Sequence, residues 1–329
     1  MRVLVAPCTF KESLTASDVG AIVSEVVRAQ GHDVACSPLA DGGEGTLAAL
    51  VGPLSLEVVS ATVDAMLPAL PSVNARFGLN ASTRVAVLEA ASVVGLDLVA
   101  RERRDPLRAT TRGLGQLMNA AIAAGARALW IGLGGTATID GGSGMLSTYD
   151  ASKRVSIVGL VDVDVPLAGA RMFMAQKFAG PIDDATLDAR TDLLRALHKP
   201  YVANVKGAGA AGGLGAALAS LGGRLVSGAD VVMREAHIED EVMRADVVVT
   251  GEGRIDEQTA HGKLVAALAA LCAKHGKRLV ALCGAVRGDV SALAAEIVVV
   301  TPPGQAHDDA IANARVNVAN AARRMFTGT

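Results

Sequence analysis

The sequence predicts an α/β fold: a doubly wound, mostly parallel sheet covered by helices, with a second domain beside it. Three observations carry that reading. The chain opens β-α-β, apolar strands run repeatedly into glycine-rich loops that lead into helices, and after Pro53 the pattern changes to short alternating runs.

With 329 residues the chain can form two domains and a sizeable core. Apolar residues make up 51% of it but aromatics only 2%, so the core must be built from Ala, Val and Leu. A net charge of −2 with no basic block excludes an electrostatic nucleic-acid footprint, and the lack of aromatics removes the stacking platforms that single-strand binders use. Cys8, Cys36, Cys272 and Cys283 show no metal-ligand spacing and suit a reducing compartment. No apolar run approaches the ~20 residues a membrane helix requires. A cytoplasmic protein without membrane or nucleic-acid partners is expected.

RVLVA at 2–6 is a short β-rich run closed by Pro7. Thr15 and Asp18 form a capping-box pattern ahead of Val19, Ile22, Val23, Val26 and Val27, one helical stripe. Gly31 closes that helix, and a strand follows at 33–39. Lys11 lies just past the first strand, where such sheets place ligands, although a loop lysine is commonly a solvated charge. The second strand runs into ADGGEGT at 40–46, where Asp41 and Glu44 flank two glycines. They are turn formers on one reading, and a proton acceptor or metal ligand on the other. From 53 to 104, alternating runs broken by Pro68, Pro71 and Gly78 suggest a small antiparallel or mixed unit, the start of the second domain.

A helix at 110–124, capped by Thr110 or Thr111, turns Leu114, Leu117, Met118 and Ile122 inward. It leads into LWIGLGGTATIDGGSGM at 129–145, the stretch around which the chain is organised. An apolar strand, a loop dense in glycine with one carboxylate, Asp140, and then a helix is how α/β proteins hold phosphate. Glycine lets the backbone approach the oxygens, and a helix N-terminus favours negative charge. A tight turn without a ligand is the plain alternative.

The strand at 155–161 ends in DVDVP, whose Asp162 and Asp164 share one face. Such a pair suits Mg²⁺, which takes one or two carboxylates plus substrate phosphates, and is equally often a solvated strand end. AQKFAG at 175–180 places Lys177 in a loop, and 184–197 is an amphipathic helix. KGAGAAGGLGAALASLGG at 206–223 permits close packing on a ligand or on another helix. ADVVVT at 245–250 opens onto GEGRIDEQT and HGK, which gather Glu252, Arg254, Asp256 and Lys263. Strands at 279–283 and 297–300 and a helix at 308–325 complete the series.

Gly132-x-Gly134-x-x-Ala137 and Gly207-x-Gly209-x-x-Gly212 both fit a dinucleotide fingerprint, which would suggest an NAD(P)-dependent oxidoreductase. The first βα turn, APCTFKES, has no GxG, however, and no Walker A sequence is present. Scattered glycine loops with Lys11, Lys177, Arg254 and several strand-end carboxylates fit a kinase of another design better than hydride transfer. A non-catalytic phosphometabolite-binding protein is the remaining class.

Taken together, AP-x-x-FK-x-SL, ADGGEGT, GLGGTATIDGG, DVDVPLAG with QK, GAGAAGGLGAAL and ADVVVTGEGRIDEQT-x-x-GK resemble the type I glycerate kinase family, of the bacterial glycerate 2-kinase type, from Arg2 to about Gly284. The resemblance implies ATP-dependent, Mg²⁺-requiring phosphorylation of D-glycerate, with 2-phosphoglycerate the usual product. It also implies a Rossmann-like domain (1–52, 106–160 and 228–329), a second α/β domain inserted into it (53–105 and 161–227), and an active-site cleft between them. A homodimer is compatible with it. On this reading Gly134, Gly135, Thr136, Gly141 and Gly142, with Gly207, Gly209, Gly212 and Gly213, serve the phosphates. Asp41 is the first choice for the base, with Asp140 and Asp256 as rivals, and Lys11 neutralises the transferring group. Lys177 or Arg254, with Glu252 nearby, grips the substrate carboxylate, and Asp162 and Asp164 are the metal candidates. Cys8 and Glu12 stand where the family commonly has Asp and Gly, and Ile139 where it has Asn. The segment 146–157 is shorter than usual.

Overall fold

The computed structural model describes residues 1–256, 259 and 264–326. They form two compact units, Met1–Ala40 with Val232–Thr329, and Asp41–Val231.

In the first unit, β1 (Arg2–Val5) leads through α1 (Ala16–Ala29) to β2 (Asp33–Cys36). The expected capping box is made: the Asp18 N–H donates to Thr15 Oγ1 at 3.1 Å, and the Thr15 N–H donates to Asp18 Oδ2 at 3.4 Å. Val19, Ile22, Val23, Val26 and Val27 are all buried and share a core with Val3 and Val5. Glu12, in the loop after β1, has φ +67, a left-handed conformation that suits glycine.

The second unit holds α2 (Thr46–Val51), β3 (Glu57–Val63), β4 (Val73–Leu79), β5 (Val85–Glu89), α3 (Arg112–Ala123), β6 (Ala128–Gly132), α4 (Ser143–Thr148), β7 (Ser156–Val161), α5 (Asp184–Leu197), α6 (Ala210–Ser220) and β8 (Arg224–Ser227). Its strands form one sheet in the order β3-β4-β5-β6-β7-β8. The runs after Pro53 are its antiparallel edge, and from β5 onward all pairs are parallel. Leu114, Leu117, Met118 and Ile122 of α3 are buried in its main core, as their helical spacing requires.

Residues 106–160, expected in the first domain, therefore lie in this unit, because β6 pairs with β5 and places Gly132 beside Glu89. The boundaries fall at Asp41 and Val231, not near 53 and 228. Hydrophobic periodicity is local, whereas the sheet a strand joins is decided by partners far away in sequence.

The chain then returns to the first unit with β9 (Val247–Ile255), α7 (Leu264–Lys274), β10 (Arg278–Val286), β11 (Glu296–Val299) and α8 (Ala314–Arg324). The sheet order is β11-β10-β9-β1-β2, parallel throughout, with Val247, Val249, Val280 and Leu282 in its core. The helix expected at 308–325 is broken at Asn313, whose side-chain amide donates to the Asp309 carbonyl at 2.8 Å. Such a local side chain-to-backbone bond competes with helix continuation. Among the described residues no helix is long and apolar enough to cross a membrane. All four cysteines are free thiols.

Candidate functional site

In the second unit the loop after β6 is packed backbone to backbone against ADGGEGT. A Cβ on Gly134 would lie 2.7 Å from the Gly43 Cα, and one on Gly132 would lie 2.8 Å from the Gly42 carbonyl oxygen. The Gly134 N–H donates to that same carbonyl at 3.1 Å. These glycines serve a contact between two loops. Further on, the loop is tied to the strap after β5, where Leu96 N–H donates to the Gly135 carbonyl and Ala137 N–H to the Val94 carbonyl, at 3.0 and 2.7 Å. The Gly141 N–H donates to the Gly212 carbonyl at 3.1 Å, which brings in the second glycine stretch. Ala211, Gly212 and Gly213 are left-handed in succession, with φ of 54, 64 and 91°. Ile139 is fully buried among Leu167, Met174 and Leu194, so it anchors this region by packing.

Asp140 is a staple. Its carboxylate accepts the Thr111 N–H and hydroxyl at 2.9 and 2.8 Å, and the N–H groups of Gly142 and Gly144 at 3.1 Å each. The positive end of α4 is thus filled by the protein's own acid. Thr111, expected as a simple cap of α3, instead ties that helix to the loop, and its Oγ1 also accepts from the Met145 N–H at 2.9 Å. His198, which follows α5, holds the Gly141 carbonyl through Nε2 at 2.8 Å. A carbonyl can only accept, so Nε2 carries the proton, and burial lowers the imidazole's pKa and favours this neutral form.

Gly134, Gly141, Gly142 and Gly144 therefore spend their N–H groups inside the protein. Gly135, exposed in the turn, donates its own to no described residue. Beneath it lies Lys177, only 3% exposed. Its Nζ donates to Thr136 Oγ1 at 3.1 Å and to the Thr138 carbonyl at 2.9 Å. Burial drives this ammonium down to about 7, and the charges of Asp140 and Asp162 oppose the fall. Expected as a grip for a substrate carboxylate, Lys177 instead faces the underside of the loop.

Asp41 is half-buried, and its carboxylate makes no hydrogen bond to any described residue. Nearby, Glu89 at the end of β5 accepts the Leu47 N–H at 2.7 Å, at the start of α2. Burial raises its carboxyl, that bond counters the rise, and the charge of Glu44 adds to it. Asp162 and Asp164 follow β7. Asp164 pairs with Lys206 at 3.6 Å in solvent. Among the described residues no group of three or more His, Cys, Asp or Glu side chains could hold a metal ion.

In the first unit, Lys11 is exposed beyond β1, and Glu252, Arg254 and Asp256 lie on or just after β9, the neighbour of β1. Gly253 lets these segments approach: a Cβ there would lie 3.2 Å from the Lys11 backbone nitrogen. Arg254 Nε donates to Asp256 Oδ2 at 3.2 Å, while Asp256 Oδ1 accepts the Thr259 N–H at 3.2 Å. Asp256 is thus tied into its own turn. Beside Glu252, the Cys283 thiol is pushed up to about 12, first by burial and then by that charge, and stays protonated. Lys263 lies outside the described residues.

Sequence reasoning missed Thr111, Thr138, His198 and Glu89. The first three act on the loop through residues 29 to 57 positions apart, or through a backbone carbonyl, and neither leaves a motif. The acid ending β5 was the one available signal, since a carboxylate at a strand's C-terminal end marks the ligand side of such sheets.

A sequence profile described as the glycerate kinase family matches residues 3–152 and 146–328. The chain is 35% identical to the Escherichia coli (strain K12) protein named glycerate 2-kinase, over 88% of this chain and 87% of that one. It is also 35% identical to the Bacillus subtilis (strain 168) glycerate kinase, over 89% and 87% respectively. The crystal structure of a Salmonella typhimurium LT2 protein named for glycerate kinase 2 matches with a TM-score of 0.76 and 31% identity, covering 98% of this chain and 96% of that one.

Proposed function

The chain belongs to the glycerate kinase family of phosphotransferases, and from that premise we propose that it transfers the γ-phosphoryl group of ATP to a hydroxyl of D-glycerate, giving ADP and 2-phosphoglycerate. One observation carries the chemistry: Asp140 is consumed by four donors, whereas Asp41 keeps an uncommitted carboxylate at a half-buried position. Asp41 then accepts the proton of the substrate hydroxyl as the new P–O bond forms. The bond from phosphorus to the ADP oxygen breaks, and ADP leaves with the electron pair. Phosphoryl transfer asks little covalent chemistry of a protein, so the remaining residues position groups and neutralise charge.

Gly135 and Thr136 meet the phosphates on this reading. Lys11 and Arg254 are assigned by their charge, the first to the transferring group and the second to the glycerate carboxylate. Mg²⁺, when bound, supplies charge neutralisation on the phosphates. Asp162 and Asp164, with no third His, Cys, Asp or Glu grouped with them among the described residues, fit an ion that takes one or two carboxylates and completes its shell with phosphate oxygens and water. The four free thiols support a cytoplasmic setting.

Purified protein incubated with MgATP and D-glycerate should release ADP in proportion to the phosphoglycerate formed. ATP binding without ADP release would favour a phosphometabolite-binding protein, and binding of NAD(P) in place of ATP would favour an oxidoreductase.

A further inference from the structure

A buried lysine is rare because its charge must be compensated, and this fold places one directly under the loop turn. Lys177 is 3% exposed, and its Nζ reaches Thr136 Oγ1 at 3.1 Å and the Thr138 carbonyl at 2.9 Å. The Thr138 hydroxyl is fully buried and finds no hydrogen-bond partner among the described residues. In its ammonium form Lys177 has donors and no acceptor, so Thr136 Oγ1 is then the acceptor in this bond. Its own hydrogen is then turned away from Lys177, and it is given to no described residue. Thr136 is 4% exposed and follows the exposed Gly135, whose N–H is also uncommitted. The turn thus offers a hydroxyl and an amide side by side, both as donors.

We propose that Lys177, in its ammonium form, is a positioning residue that orients the Thr136 hydroxyl as a hydrogen-bond donor to a phosphate oxygen of the nucleotide. The inference rests on the kinase reading only for the source of that phosphate.

Calorimetric titration with MgATP, and separately with inorganic tripolyphosphate, tests it on the full chain. Thr136→Val and Lys177→Met should each weaken binding by at least about tenfold, the size of a hydrogen bond to a charged oxygen. Thr136→Ser should bind like wild type. The double variant should bind no more weakly than the weaker single one, since Lys177 acts on the phosphate only through the Thr136 hydroxyl. Multiplying losses, or wild-type binding by Thr136→Val, would overturn the proposal. If Lys177→Met fails to fold, the contrast between Thr136→Val and Thr136→Ser decides, because both keep the lysine. A wild type that binds tripolyphosphate but does not phosphorylate D-glycerate would refute the substrate reading and leave this pair standing. A wild type that binds neither probe would refute the pair itself.

Discussion

The Asp140 carboxylate accepts both the backbone N–H and the hydroxyl of Thr111, at 2.9 and 2.8 Å, across 29 residues of chain. With the N–H groups of Gly142 and Gly144 it has four donors, so it organises the loop. Asp140→Ala should strand those donors and cost about 2–4 kcal/mol, the range for breaking a buried charged network. Urea unfolding measures this, and a loss under 0.5 kcal/mol, the ordinary range for a surface change, would remove the staple from the account.

Asp41 makes the opposite prediction. Its carboxylate bonds to no described residue, so Asp41→Asn should leave the melting temperature nearly unchanged. Activity should fall by about 10²–10⁴, the usual contribution of a general base. Initial rates of ADP formation check this, and an unaffected rate would move the base elsewhere.

Glu12 holds φ +67 in an exposed loop. Glu12→Gly should relieve the left-handed strain and stabilise the chain by about 1 kcal/mol, less the backbone entropy that glycine adds to the unfolded chain. Thermal unfolding of the two proteins side by side decides the sign.

Lys177 links stability to pH. Its ammonium sits at about 7 when folded, against 10.5 for the ordinary group, so between these values the unfolded chain holds more protons than the folded one. Stability from this group is therefore present above pH 10.5 and is lost progressively as pH falls through 7. Chemical unfolding at pH 7 and pH 9 should show wild type gaining stability relative to Lys177→Met. An equal change in both would mean that the lysine keeps an ordinary pKa.

Much of the fold was legible because its signals are local. The Thr15–Asp18 box, the buried valine stripe of α1, the boundaries of α5 and the antiparallel turn of the pattern after Pro53 all follow from spacing and caps. The sheet that β6 joins was not legible, since a parallel pairing with β5 leaves no mark in either strand. At the site, sequence located the glycines without distinguishing their work: Gly134 serves a loop contact, whereas Gly135 donates its amide to no described residue. It could not separate Asp41 from Asp140, because the difference lies in Thr111. The burial of Lys177 was equally hidden, since a lysine in a loop is ordinarily solvated.

The most direct test of the central claim is the phosphorus NMR spectrum of a reaction of MgATP, D-glycerate and the purified protein. The account predicts ADP together with a phosphomonoester signal split into a doublet by the single hydrogen on C2 of 2-phosphoglycerate. A triplet would place the phosphate on the CH₂ oxygen and contradict the proposed product. An ATP spectrum unchanged by D-glycerate would contradict the kinase assignment itself.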